Sequence, residues 1–124
     1  MLTQGHLIAR CAAYKGATET YPFDDTALVF KVMGKMFALI PTAVPADEPP
    51  KITLKCDPTL AQALRATYEA VQPGYYMNKE HWNTVTCDET IPAEEVLAWI
   101  DDSYALVVKG LRKADREALA ALPD

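Results

Sequence analysis

The chain has 124 residues, half of them apolar and 23% charged, with a formal net charge of −5. That length suits one hydrophobic core and one domain over residues 1–124, and no apolar run approaches the ~20 residues of a membrane span. The acidic balance disfavours a nonspecific nucleic-acid binder, because phosphate neutralisation supplies most of that affinity.

In chain order, Thr3 is placed to cap a first helix with Leu7, Ile8 and Cys11 on its apolar positions and Gly16 at its end. Thr18 to Phe23 reads as a strand that Pro22 confines to a sheet edge, and Asp24-Asp25 then turns the chain. Ala27–Val32 and Lys35–Ile40 are β-prone runs separated only by Met33-Gly34, which predicts a tight hairpin. Gly34 supplies the positive φ that such a turn demands. Pro41 to Pro50 is a polar connection with four prolines. In Lys51 to Cys56, Ile52, Leu54 and Cys56 point to one side and Lys51, Thr53 and Lys55 to the other. Such alternation predicts a sheet with one buried and one wet face. Asp57-Pro58 opens a helix to about Tyr68 that buries Leu60, Ala61, Leu64 and Tyr68.

The stretch from Pro73 to Val85 is the densest in chemistry. Pro73-Gly74 reads as a turn, Tyr75 to Met77 as a short extended piece, and Asn78-Lys79-Glu80 as a second turn. Trp82 to Cys87 follows as a strand, so the stretch predicts a β-hairpin with a polar tip. Pro92 then opens a longer helix. Val96, Leu97, Ile100, Tyr104, Val107, Val108 and Leu111 line its apolar face, while Glu94, Glu95, Asp101 and Asp102 stay wet. A last helix runs from about Lys113 to Ala121. Hairpins without a regular βαβ repeat predict an α+β domain with an antiparallel sheet.

Charge is distributed unevenly. Residues 26–79 hold six basic and four acidic side chains, whereas residues 80–108 hold seven acidic and no Lys or Arg. The folded molecule should therefore be electrically polarised. Cys11, Cys56 and Cys87 are an odd number with no CxxC pair, which predicts reduced thiols and a cytoplasmic protein. Nothing at the N-terminus reads as a signal peptide.

Nearly the whole chain resembles the MmcQ/YjbR family. The likeness rests on Lys15-Gly16-Ala17, Pro22-Phe23, the run Val29 to Ala38 and Leu54-Lys55. It continues through Pro73-Gly74-Tyr75, Met77-Asn78-Lys79, the run His81 to Val85, and Ser103-Tyr104. The chain departs from the family pattern at Tyr76, where His is expected, and at Cys87, where an apolar residue is more usual. The resemblance implies a CyaY (frataxin-like) fold, a twisted antiparallel sheet with helices packed on one face. It also implies DNA binding through a double-wing arrangement of hairpins, or a resistance or accessory role.

The residues themselves suggest a surface for such binding. If Ile52 and Leu54 face the helices, Lys51, Thr53 and Lys55 face outward. Placing Val85 inward sends Trp82, Thr84 and Thr86 to that same side, and Lys31 and Lys35 can join them. A basic, hydroxyl-rich face with one Trp suits phosphate contact and base stacking. It equally suits a solvated sheet face with lysines guarding its edges. The candidate binding residues are Lys31, Lys35, Lys51, Lys55, Tyr75, Tyr76, Asn78, Lys79, His81, Trp82 and Asn83. Tyr75, Tyr76 and Trp82 also offer an aromatic surface for a small molecule or a protein. No nucleophile elbow, phosphate loop or metal-ligand spacing occurs. The expectation is a monomeric, non-enzymatic binding module with no catalytic residue, metal or cofactor, acting on DNA or on a small molecule or protein and not on a membrane, with an enzyme as the third reading.

Overall fold

The structure is a computed structural model, and it describes residues 1–21, 26–45, 47–74 and 78–123. Among these, six strands form one antiparallel sheet: β1 (Ala17–Thr20), β2 (Ala27–Val32), β3 (Lys35–Pro41), β4 (Lys51–Lys55), β5 (Val71–Pro73) and β6 (Trp82–Thr86), in the spatial order β1-β2-β3-β4-β6-β5. Four helices, α1 (Gln4–Ala12), α2 (Pro58–Thr67), α3 (Ala93–Lys109) and α4 (Lys113–Ala121), complete the α+β fold. The sheet buries Phe30, Ala38, Ile52, Leu54 and Val85 against Leu7 and Cys11 of α1 and Val96, Ile100 and Val107 of α3.

The local chemistry explains most boundaries. Thr3 caps α1 by accepting from the His6 amide, and the His6 ring accepts from the Thr3 amide in return at 3.1 Å. The helix nevertheless stops at Ala12, with its last amide bonds made by Ala13. Gly16 (φ 73°) serves the following turn into β1 instead. The β2–β3 turn places both Met33 (φ 49°) and Gly34 (φ 80°) in the left-handed region. That pair of positive φ values matches the right-handed twist of the flanking strands. Asp57 caps α2 through the Thr59 and Leu60 amides, as its sequence predicts.

Several expectations need correction. The first strand ends at Thr20, and Pro22, Phe23, Asp24 and Asp25 lie outside the described residues. Pro73-Gly74 is not a turn. Pro73 closes β5 opposite Asn83, and the Gly74 amide continues the ladder to the Trp82 carbonyl at 2.7 Å. Gly74 is needed for space rather than for φ, because a Cβ there would sit 2.7 Å from that of Trp82. Leu60, expected in the core, is 44% exposed.

Ser103, absent from the predicted apolar face of α3, is fully buried and joins that helix to the sheet. Register around Phe37 slips by one residue, Phe30 opposing Ala38 and Lys31 opposing Met36. A bulge of this kind interrupts backbone pairing to the next strand. The Ser103 hydroxyl fills the gap: it donates to the Phe37 carbonyl of β3 at 2.6 Å and accepts from the Lys55 amide of β4 at 2.9 Å.

Candidate functional site

Two regions of the domain have the composition of a binding site. The first is the sheet face away from the helices. Cross-strand partners share a face, so the pairs Lys51–Thr86, Thr53–Thr84 and Lys55–Trp82 all lie opposite the core pair Ile52–Val85. Lys31 follows the core residue Phe30 and pairs with Thr18, which puts both on the open face as well. The face therefore carries Lys31, Lys51 and Lys55 with five threonines (Thr18, Thr20, Thr53, Thr84 and Thr86) and Trp82. Its centre is not the wet surface that the alternation predicts: Thr53 is buried in hydroxyl contact with Thr84 at 2.8 Å, and Val29 on the same face is buried too. Glu19, the one carboxylate of the described strands, pairs with Phe30 and so belongs to the other face.

Lys35 differs from the other lysines. It pairs with the buried Val32, which places it on the helix side at the hairpin end. There it lines a hollow of about 380 Å³ together with Met36, Lys55, Trp82, Val107 and Gly110. Lys35, Lys55 and Trp82 are thus neighbours even though register separates their faces.

The polar tip of the β5–β6 hairpin is held by α2. Arg65 donates through Nε to Asn83 Oδ1 at 2.6 Å and through Nη2 to the carbonyls of Lys79 and Trp82. Asn83 Nδ2 donates in turn to the Ala61 carbonyl at 3.3 Å. Asn83 is 3% exposed. It is a buried strut of the hairpin and is not available to a ligand on the open face. Asn78 makes an Asx turn through its side chain to the Glu80 amide at 2.9 Å, and its carbonyl receives the His81 and Trp82 amides. The His81 carbonyl accepts from the Cys56 amide at 2.7 Å, so its backbone joins the hairpin to the end of β4. Lys79 is exposed at the tip. Tyr75 and Tyr76 lie outside the described residues.

Sequence reasoning missed the second region, a cleft between α2 and α3 on the helix side of the sheet. It encloses about 310 Å³. Leu54 and Val85 form its floor, Leu60 and Leu64 one wall, and Trp99 and Leu106 the other. Asp57 and Asp102 lie at its edge beside Cys56, whose thiol is pushed up by burial and then by those two carboxylates. Tyr68 meets Trp99 edge-on at 5.8 Å between ring centroids, where the two helices come together. The sequence held a signal for this cleft. Leu60 and Leu64 lie four apart on α2, and Trp99 and Leu106 seven apart on α3, so each pair shares a helix face.

Burial pushes the Cys11 thiol up to about 12 and the Cys87 thiol up to about 11, the latter helped by Asp88. Both behave as small apolar side chains of the core. Among the described residues, no three His, Cys, Asp or Glu side chains gather as metal ligands would, and no helix is long and apolar enough to cross a membrane.

Comparison with known proteins places these features in a family setting. The family model YjbR matches residues 12–106, which include the entire sheet, α2 and most of α3. YjbR of Escherichia coli (strain K12), named as an uncharacterised protein, is 31% identical over 121 residues, covering 98% of this chain and 100% of its own. YbdF of Escherichia coli O157:H7, also named as uncharacterised, is 38% identical over 97 residues, or 78% of this chain and 77% of its own. The crystal structure of Deinococcus radiodurans protein DR2400, described as a DUF419 domain, superposes with a TM-score of 0.88 at 41% identity, covering 100% of this chain and 91% of that one. A crystal structure of a Pseudomonas syringae protein gives a TM-score of 0.71 at 27% identity, covering 85% of this chain and 98% of that one.

Proposed function

The chain belongs to the YjbR family, and from that premise we propose that it is a non-enzymatic module that binds DNA on the open face of its sheet. One observation carries this reading: the strand register collects Lys31, Lys51 and Lys55 on a face that, among the described strands, holds no carboxylate. Lysines on a rigid sheet hold a fixed spacing, and the part-exposed Thr84 and Thr86 hydroxyls beside them can donate to phosphate oxygens, whereas Thr53 is buried. Trp82, half-buried beside Lys55, offers an aromatic surface on which an unpaired base can stack. The acidic side chains Glu94, Glu95 and Asp102 sit on α3, behind the sheet.

The magnitude of such binding is modest. Three phosphate contacts give a slope of log affinity against log salt of about −2.7 on duplex DNA. The net charge of −5 works against association at any distance within the Debye length. Binding should therefore be weak, and visible mainly at low salt.

Fluorescence of Trp82 in a Trp99→Phe background tests the reading directly. A saturable change is expected with a short duplex or single strand at low salt. Lys55→Ala should reduce the salt slope on duplex by about one unit. Trp82→Ala, followed by a labelled oligonucleotide, should weaken single-strand binding by ~1–3 kcal/mol. No saturable response at low salt, or binding indifferent to loss of Lys51 and Lys55, rules the proposal out.

A further inference from the structure

We propose that the cleft between α2 and α3 is a second binding site, which takes a small organic amine with a flat apolar body. The body would lie over Leu54 and Val85, between Leu60 and Leu64 on one side and Trp99 and Leu106 on the other, with its ammonium group at Asp57 and Asp102. This site is separate from the open face, because its floor is the opposite side of the same strands.

The first support is that the cleft is held open by construction. Apolar side chains facing each other across a gap normally collapse, since burying them is favourable. Here each helix is fastened to the sheet by its own buried polar link. α2 is tied to β6 through Arg65, Asn83 and the Ala61 carbonyl. α3 is tied to β3 and β4 through Ser103. Closing the gap would strain these links and orphan buried polar groups, which is costly. The cleft is thus preformed, and its volume of about 310 Å³ lies at the small end of the ~300–1,000 Å³ usual for small-molecule sites.

Charge decides which molecule fits. Asp57 and Asp102 both line the cleft beside Cys56. That end carries two carboxylates against one cation, the Arg65 guanidinium, which also acts on the Cys56 thiol and is turned to Asn83 and the Lys79 and Trp82 carbonyls. Lys55 also contributes to the lining, at the end of β4 where it borders the hollow shared with Lys35 and Trp82 as well. Lys109 lies seven residues beyond Asp102, about 10 Å further along α3. One end of the cleft is therefore acidic, and a carboxylate ligand would meet two like charges there. Leu60, an exposed large apolar side chain at the entrance, is the residue a ligand would cover.

Three probes with one body and different charge test this site: 1-naphthylmethylamine, 1-naphthalenemethanol and 1-naphthaleneacetate, each titrated into isotopically labelled protein. The amine should produce saturable shifts at the Trp99 indole and at the Leu60, Leu64 and Leu106 methyls, leaving the Trp82 indole unmoved. The alcohol should bind more weakly and the acetate weakest. Asp102→Asn should weaken the amine about fivefold and leave the alcohol unchanged. Leu60→Trp, at an exposed position that folding tolerates, should block the entrance and abolish binding of the amine. The proposal is overturned if no probe gives a saturable shift, if the acetate or alcohol binds as tightly as the amine, or if the shifts centre on Trp82. Amine binding that persists in Leu60→Trp overturns it equally. Loss of DNA binding alone would leave these shifts in place, so the two sites succeed or fail independently.

Discussion

Cys56 is half-buried at the end of β4, whereas Cys11 and Cys87 are buried in the core. At pH 8 a water-soluble disulfide reagent should therefore modify Cys56 first, and reach Cys11 and Cys87 only after unfolding. Fewer than three reactive thiols in denatured, non-reduced protein would contradict this assignment. The sequence reads Cys56 and Cys87 alike, as small hydrophobes ending apolar alternations, and only Cys87 is buried as that reading expects. Asn83 is legible too, and the alternation argues against it as a binding residue of the open face. Alternation that sends Val85 inward must send Asn83 inward as well, and a buried amide needs partners. Its partner Arg65 is 18 residues away in the chain, on α2, and no local pattern announces that meeting.

At the scale of elements, the β2–β3 hairpin, β4, α2 and α4 were readable because each depends on its own residues: a two-residue turn, an alternation, a cap, a helical stripe. Elements that depend on a partner were not. β5 has three residues, one of them Pro73, and exists as a strand only because β6 lies beside it. The bulge at Phe37 and its remedy at Ser103 are likewise invisible without the third dimension. Ser103→Ala should leave the buried Phe37 carbonyl and the part-buried Lys55 amide unpaired, a loss of about 1–3 kcal/mol for the carbonyl alone. Urea unfolding measures it, and a loss below roughly 0.5 kcal/mol, the range of an ordinary surface substitution, would show that water replaces the hydroxyl. Because the same residue fastens α3, the variant should also show faster amide exchange in β3 and β4 near the bulge.

Across the whole molecule, α1 and α3 are joined over the sheet by a cluster of side chains. Arg10 Nη2 donates to both carboxylate oxygens of Asp101 at 2.9 Å, Tyr14 donates to the same carboxylate, and the Tyr14 ring stacks on Tyr104 at 4.6 Å. Burial raises the Asp101 carboxyl, but the hydrogen bonds from Tyr14 and Arg10 and the guanidinium charge outweigh it and leave it below its ordinary value. A lowered carboxylate pKa stabilises the fold above the unfolded value of ~3.9, and that contribution is lost as pH falls through the folded value. Asp101→Asn should accordingly lower stability at neutral pH and flatten its decline below about pH 4. Both partners are more than a third exposed, so the neutral-pH loss should stay under about 1 kcal/mol. Thermal melts from pH 2 to 7 measure both effects, and an unchanged acid limb would show that the cluster does not govern it. The order of the strands has a kinetic counterpart. Four of the five pairings join strands adjacent in the chain, and β4–β6 alone must wait for an intervening helix and strand to be gathered in. Closing that longer loop costs entropy before its contacts form, so the β4–β6 seam should set the folding rate. Val85→Ala, in the seam, should chiefly slow refolding in stopped-flow experiments, whereas Leu28→Ala, in the β2–β3 hairpin, should chiefly hasten unfolding.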